Sequence, residues 1–171
     1  MGSLFLMAGV PGCGKSTFLE KNVHKDSSVI ISRDKIRFSL LKPEDDYFAH
    51  EDKVVKIFWN KINEELQNGK DVFVDQTSLT PKARKWLLSH VRGYDKAYLI
   101  WVDTPLETCL NRNENRKGTL GYVPKGQIRR MYLQFIAPTL DEGFETIFRY
   151  DGEENTLFYY LTKEGEKDDL F

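Results

Sequence analysis

The chain has 171 residues, 40% of them hydrophobic and 30% charged, with a net charge of −1. That length suits one domain with a real core, and the charge excludes a global basic field, so any nucleic-acid contact has to be local and small. No apolar run approaches membrane-spanning length, which excludes a helix-spanning membrane protein.

The first element is the apolar run Leu4 to Ala8, long enough for a buried strand. No charged region precedes it, so it reads as a strand and not a signal peptide. A myristoyl signal wants Ser or Thr where Leu6 stands. The stretch Gly9-Val10-Pro11-Gly12-Cys13-Gly14-Lys15-Ser16-Thr17 follows, and residues 18–21 can continue a helix. Strand, glycine-rich turn and helix form the context of a phosphate-binding loop. Gly9, Gly12 and Gly14 let successive N–H groups point inward, where a side chain would block a phosphate. The helix starting near Lys15 adds the positive end of its dipole. Lys15 can reach β- and γ-phosphate oxygens, and the Ser16 hydroxyl can ligate Mg²⁺. Pro11, Cys13 and Thr17 complete the loop, Cys13 as a small spacer. Neither Cys13 nor Cys109 has a metal spacing, which points to a reduced, cytoplasmic setting.

Val29 to Ile31 is a second short strand, and Asp34 and Arg37 follow it at the carboxyl edge of the sheet, where open α/β sheets bind ligands. Three residues apart, they share one face of a helical turn. The plain alternative is a helix-starting Asp with a local salt bridge. A long core helix is expected over Asp46 to Asn68, with Phe48, Val54, Val55, Phe58, Ile62 and Leu66 inward and Gly69 ending it. Asp71 to Asp75 is the next strand. Asp75 stands where an acid can help position Mg²⁺, and Thr77 lies in the loop beyond.

Thr80 and Pro81 open a helix to about Val91. Its Lys82, Arg84 and Lys85 read as a solvated face, with Arg84 a candidate for acceptor contact. Ala97 to Val102 is a fourth strand, and Asp103-Thr104-Pro105 repeats the cap-and-proline device. Arg112 and Arg116 then point the same way if the helix continues, and Gly118 and Gly121 make the segment beyond bendable. Two arginines beside such a segment, about 111–124, suit a lid that closes over phosphates; a basic helix end favoured by the macrodipole is the plain alternative. A helix over Lys125 to Ile136 with Ile128, Met131, Tyr132 and Phe135 inward and a fifth strand over Phe144 to Tyr150 complete the series. The extension 151–171 is read as a final helix or an added edge strand. The alternation predicts one α/β domain over 1–171, with a parallel five-stranded sheet of order 2-3-1-4-5 and helices on both faces.

Over residues 4–150 these features resemble the kinase module of polynucleotide 5′-hydroxyl kinases, of the phage type and the bacterial RNA-repair type. The resemblance rests on the Gly-x-Pro-Gly-x-Gly-Lys-Ser loop, Arg33-Asp34 with Arg37, Asp75 with Thr77, and Arg112 with Arg116. It implies an ATP- and Mg²⁺-dependent kinase that moves the γ-phosphate to a 5′-hydroxyl DNA or RNA end. Asp34 is then the general base, and Arg37 binds the acceptor at the phosphate 3′ of its first nucleoside. Lys15, Arg112 and Arg116 neutralise the ATP phosphates, Ser16 holds Mg²⁺, and Asp75 supports the metal or orients Arg37. The Thr lies one residue further along than in the phage pattern. The chain also lacks the Asp-x-Asp-x-Thr phosphatase and Lys-x-Asp-Gly ligase signatures, so in end repair it is expected to phosphorylate only or to work with separate ligase or phosphatase partners. A P-loop kinase for a nucleoside, aminoacyl-tRNA, sugar nucleotide or antibiotic is the alternative, and a nucleotide-binding ATPase without an acceptor is a third reading.

Overall fold

The computed structural model describes residues 2–24 and 26–163. In chain order the elements are β1 (Leu4–Ala8), α1 (Lys15–Asn22), β2 (Ser28–Ser32), α2 (Arg33–Leu40), α3 (Glu51–Gln67), β3 (Asp71–Asp75) and α4 (Pro81–His90). They continue with β4 (Ala97–Asp103), α5 (Leu106–Glu114), α6 (Lys125–Gln134), a 3₁₀ turn at Leu140–Glu142, β5 (Thr146–Asp151) and β6 (Thr156–Thr162). The sheet runs β2-β3-β1-β4-β5-β6.

β1 is buried along its whole length, as a central parallel strand with helices on both faces must be. Its side chains alternate between two cores. Leu4, Leu6 and Ala8 join Val54, Phe58, Ile62 and Leu66 of α3 and Leu87 of α4. Phe5 and Met7 join Phe18 and Leu19 of α1, Cys109 and Leu110 of α5 and Ile128 of α6. With every βα loop of a parallel sheet leaving at the same end, residues 9–14, Arg33-Asp34, Asp75 to Thr80 and Thr104 share one edge. The register sets this directly, because Ser32 at the end of β2 lies opposite Asp75 at the end of β3.

Several expectations are corrected. The sheet has six strands and is mixed, because β6 pairs antiparallel with β5. The edge-strand alternative for 151–171 therefore holds over Thr156–Thr162, while residues 164–171 lie outside the described residues. A hairpin turn around Gly152 and Asn155, which has φ 54°, makes the reversal, and Tyr159 and Tyr160 settle on Phe148 and Trp101. The long helix starts at Glu51 rather than Asp46. Phe48, expected in the core, is 67% exposed, since residues 47 and 48 instead lie against the Arg37 guanidinium. Thr104 does not cap α5, whose N-cap is Pro105 without a side-chain bond; the Thr104 hydroxyl donates to the Cys13 carbonyl at 2.6 Å. Tyr132 of α6 faces outward, leaving Ile128 as that helix's buried residue. Two further corrections, at Arg84 and at the Arg112 and Arg116 pair, belong to the site.

Candidate functional site

The glycine-rich loop that leaves β1 is held from both sides. The Gly9 N–H donates to the Thr77 carbonyl at 2.9 Å, tying it to the loop after β3. Gly12 has φ 84°, and a Cβ there would sit 2.5 Å from the Cys109 carbonyl oxygen. Gly14, with φ 108°, is the N-cap of α1 and offers no side-chain cap. α2 and α4 differ, since Ser32 and Thr80 accept the Lys35 and Ala83 N–H groups. The first amides of α1 thus keep their donors for an anion. Lys15 Nζ folds back onto the Gly9 and Val10 carbonyls at 2.9 and 3.0 Å. Ser16 Oγ donates to Asp75 Oδ2 at 3.0 Å. Thr17 faces outward, Pro11 is half-buried and Cys13 is buried.

Replacing Gly12 by Ala is expected to destabilise the fold by about 1–2 kcal/mol from the left-handed backbone alone, before the contact with Cys109 is counted. At about 2–4 °C per kcal/mol for a chain of this size, a melting curve detects it, and titration with an ATP analogue reads the accompanying loss of affinity. Burial pushes the Cys109 thiol behind this contact up to about 12, so it stays neutral at physiological pH.

Arg112, from the last turn of α5, donates Nη1 to the Cys13 carbonyl at 3.2 Å and Nη2 to the Gly152 carbonyl at 2.7 Å. The expected shared face of Arg112 and Arg116 is made differently, because α5 ends at Glu114 and Arg116 follows in a turn. Arg116 Nε and Nη2 are buried there with no hydrogen-bond partner. A guanidinium in that state is under-satisfied, and an oxyanion is the group that satisfies it. The segment beyond is closed at its base by Asn113, buried, whose Nδ2 donates to the Val123 carbonyl at 2.6 Å while its Oδ1 accepts the Val123 N–H at 3.0 Å.

On the β2 side, α2 places Asp34 and Arg37 on one face, as the spacing requires. Arg37 is only 4% exposed. Its Nη1 donates to Asp34 Oδ1 and, at 2.6 Å, to Tyr47 Oη. Its Nη2 and Nε donate to Glu51, with Nη2 at 2.8 and 2.9 Å from the two carboxylate oxygens. The Tyr47 ring lies 4.2 Å from the guanidinium carbon, and the Tyr47 hydroxyl donates to Asp34 Oδ1 at 2.5 Å. Burial, then the Asp34 carboxylate, raises the Tyr47 phenol well above its usual range, so it stays a donor. Asp34 itself is open to solvent, its side chain 57% exposed. With Oδ1 taken by Arg37 and Tyr47, Oδ2 is the oxygen left to accept a proton.

Burial works to raise the Glu51 carboxyl, but hydrogen bonds from Arg37 and Arg33 outweigh it and hold the group below its ordinary value. A depressed carboxylate contributes stability above its unfolded value, about 4.3 for glutamate, and loses it as pH falls through the folded value. Urea unfolding from pH 7 downward is therefore expected to show the wild type losing stability more steeply than Glu51→Gln once pH passes below about 4.3; parallel curves would contradict the linkage.

Arg84 is neither solvated nor at the acceptor side. It is fully buried, with Nε 2.5 Å from Glu142 Oε1, Nη1 2.9 Å from the Ser78 carbonyl and Nη2 2.9 Å from the Ile136 carbonyl. It pins the loop after β3 to the end of α6. Tyr47, Glu51, Asn113 and Glu142 escaped the sequence reading, and Thr104 was read only as a helix cap. Each acts on a partner distant in sequence; of these, Glu142 also sits in a local pattern, the capping box with Thr139. Gly152 is similar: a Cβ there would meet Thr104 Oγ1 at 1.8 Å, and only its place after Asp151 hinted at a turn.

The chain belongs to the AAA domain family, whose model matches residues 4–138. It is similar to a chain of the Pnkp1/Rnl/Hen1 RNA repair complex, at 21% identity over 98% of this chain and 53% of that one, with a TM-score of 0.66. It thus spans about half the length of that relative. It is also similar to Chaetomium thermophilum Kti12 in complex with ADP-AlF3, at 14% identity over 86% of this chain and 88% of that one, TM-score 0.63. A sugar kinase from Janibacter sp. HTCC2649 matches at 16% identity over 90% of this chain and 86% of that one, TM-score 0.64. The fold is an α/β P-loop fold, a mixed six-stranded sheet with helices on both faces. Among the described residues no helix is long and apolar enough to cross a membrane.

Proposed function

We propose that the protein is an ATP-dependent polynucleotide 5′-hydroxyl kinase, acting within one domain over 1–171 with a lid at about 111–124. The observation that carries this reading is Asp34: an exposed carboxylate, oriented through Oδ1 by buried Arg37 and by Tyr47, at the same sheet edge as the glycine-rich loop. A nucleotide switch needs no such acid. The likeness to the RNA repair complex supports the polynucleotide acceptor.

In this reading the amides of residues 9–14 and the first turn of α1 hold the ATP phosphates. Asp34 Oδ2 accepts the proton of the acceptor hydroxyl as its oxygen attacks the γ-phosphorus, and the bond to the β–γ bridging oxygen breaks. Lys15 leaves the loop carbonyls for the phosphate oxygens. Arg112, beside Cys13, and Arg116, with its unpartnered donors, meet the charge that spreads over the transferring group. The Ser16 hydroxyl and the Asp75 carboxylate, hard oxygens 3.0 Å apart, suit Mg²⁺; bound there, the ion supplies charge neutralisation. Arg37 serves the acceptor phosphate with the Nη1 N–H it now gives to Tyr47 while keeping the one that orients Asp34, and Thr77 lines the acceptor side. Ligase or phosphatase partners complete end repair in this reading, and the setting is cytoplasmic.

A small acceptor such as a sugar is the second reading, favoured by the net charge of −1. The test offers γ-labelled ATP and Mg²⁺ with 5′-hydroxyl DNA and RNA oligonucleotides, nucleosides and sugars. Label on the oligonucleotides supports the first reading. Label on a small acceptor alone moves the assignment to the second.

A further inference from the structure

Arg33, next in the chain to Asp34, lines a cleft of about 280 Å³ with Gln76, Thr77, Ser78, Trp86 and Gln134. Drug-sized ligands take roughly 300–1,000 Å³, so this one suits a single ring system. Two of its lining residues carry buried polar atoms without a partner, Ser78 Oγ and Arg33 Nε. Ser78 is 3% exposed, and a buried hydroxyl in that state calls for a ligand or water. It also holds φ 45°, a conformation rare outside glycine. The fold maintains that turn deliberately, since buried Arg84 binds the Ser78 carbonyl and the Ile136 N–H donates to the Leu79 carbonyl at 2.9 Å.

One wall is aromatic. The Trp86 ring is partly open to solvent and backed by Trp59, 4.9 Å away between centroids, and His90, 5.0 Å away. The Arg33 guanidinium lies 6.0 Å from its centroid. Opposite chemistry is present too, because the Gln76 and Gln134 amides each offer donors and an acceptor. The cleft adjoins both halves of the reacting centre. Thr77 is bonded to Gly9 of the phosphate loop, and Arg33 shares Glu51 with Arg37.

We propose that this cleft is a subsite for the nucleobase of the second nucleotide of a single-stranded acceptor. Asp34 and Arg37 serve the reacting end, and Arg33, one step along through Glu51, serves the next unit. The base stacks on Trp86, and the Ser78 hydroxyl and the glutamine amides meet its edge. A stacked base is held by π-contact that every base can make, which gives grip on a strand without a basic surface. The inference rests on the polynucleotide reading.

The test compares kcat/KM for a 5′-hydroxyl dinucleotide and for a nucleoside 3′-phosphate at saturating ATP, in the full chain. The wild type is expected to favour the dinucleotide by about tenfold, the worth of one stacked base. Trp86→Ala is expected to bring that ratio to about one, and Trp86→Phe to restore part of it. Gln134→Ala, at an exposed position, lowers the same ratio and keeps the test valid if Trp86→Ala does not fold. A wild-type ratio near one, or a ratio that survives in folded Trp86→Ala and Gln134→Ala, overturns the subsite and leaves the kinase assignment standing. Label on a sugar, with neither nucleotide acceptor labelled, overturns the polynucleotide reading and the subsite together.

Discussion

Asp34→Asn is expected to lower phosphate transfer by about 10²- to 10⁴-fold, the usual worth of a general base, while an ATP analogue binds within about threefold of wild type, under 1 kcal/mol. Asparagine keeps an Oδ1 that can accept from Arg37 Nη1 and Tyr47 Oη, the two donors that orient the native side chain. What it loses is the ability to take a proton at the other position. The substitution therefore separates chemistry from architecture better than alanine, which would also leave the buried Arg37 short of an acceptor. Steady-state labelling gives the rate, and calorimetric titration gives the binding. A variant that transfers at near wild-type rate removes Asp34 from the reaction. One that fails to bind nucleotide shows that the β2 edge supports the phosphate loop instead.

Glu142→Ala is expected to cost about 3–5 kcal/mol of stability, because it strands a buried guanidinium. Arg84 and Glu142 have side chains 0% and 1% exposed. The Glu142 carboxylate is fully engaged, since Oε2 also accepts the Thr139 N–H at 2.7 Å. Removing Arg84 would equally orphan the Ser78 and Ile136 carbonyls it serves. The paired change Arg84→Met with Glu142→Leu is expected to be milder than Glu142→Ala alone, since it leaves no unpaired charge in the interior and only neutral backbone groups lose their partners. Urea unfolding of the three proteins decides the matter. A Glu142→Ala loss below about 1 kcal/mol would put the pair among interactions worth no more than a surface ion pair.

Both results bear on how much of this molecule is written locally. The phosphate loop is a run of nine consecutive residues, and its strand, turn and helix are each set by neighbours in sequence. Asp34 and Arg37 are legible because a single helical turn relates them. The central parallel sheet follows from strands that alternate with helices, and the expected order 2-3-1-4-5 holds for its first five strands. By contrast, the sixth strand depended on a hairpin turn with weak local signal. The start of α3 was displaced because the segment carrying Tyr47 and Phe48 is drawn onto Arg37 rather than into the core, a preference that hydrophobic spacing cannot register.

The chain's own order of residues thus determined a phosphate-binding P-loop and an acid and an arginine at the same sheet edge, because hydrogen bonds and side-chain faces within a few residues specify them. Only the folded structure decided what holds them there. Glu51 clamps Arg37 from 14 residues away, and Glu142 clamps Arg84 from 58 residues away. A charged side chain in a sequence looks alike whether it meets water or a distant partner. Burial is a property of the packed layers, and it alone turned Arg84 from a surface charge into the pin of the loop after β3.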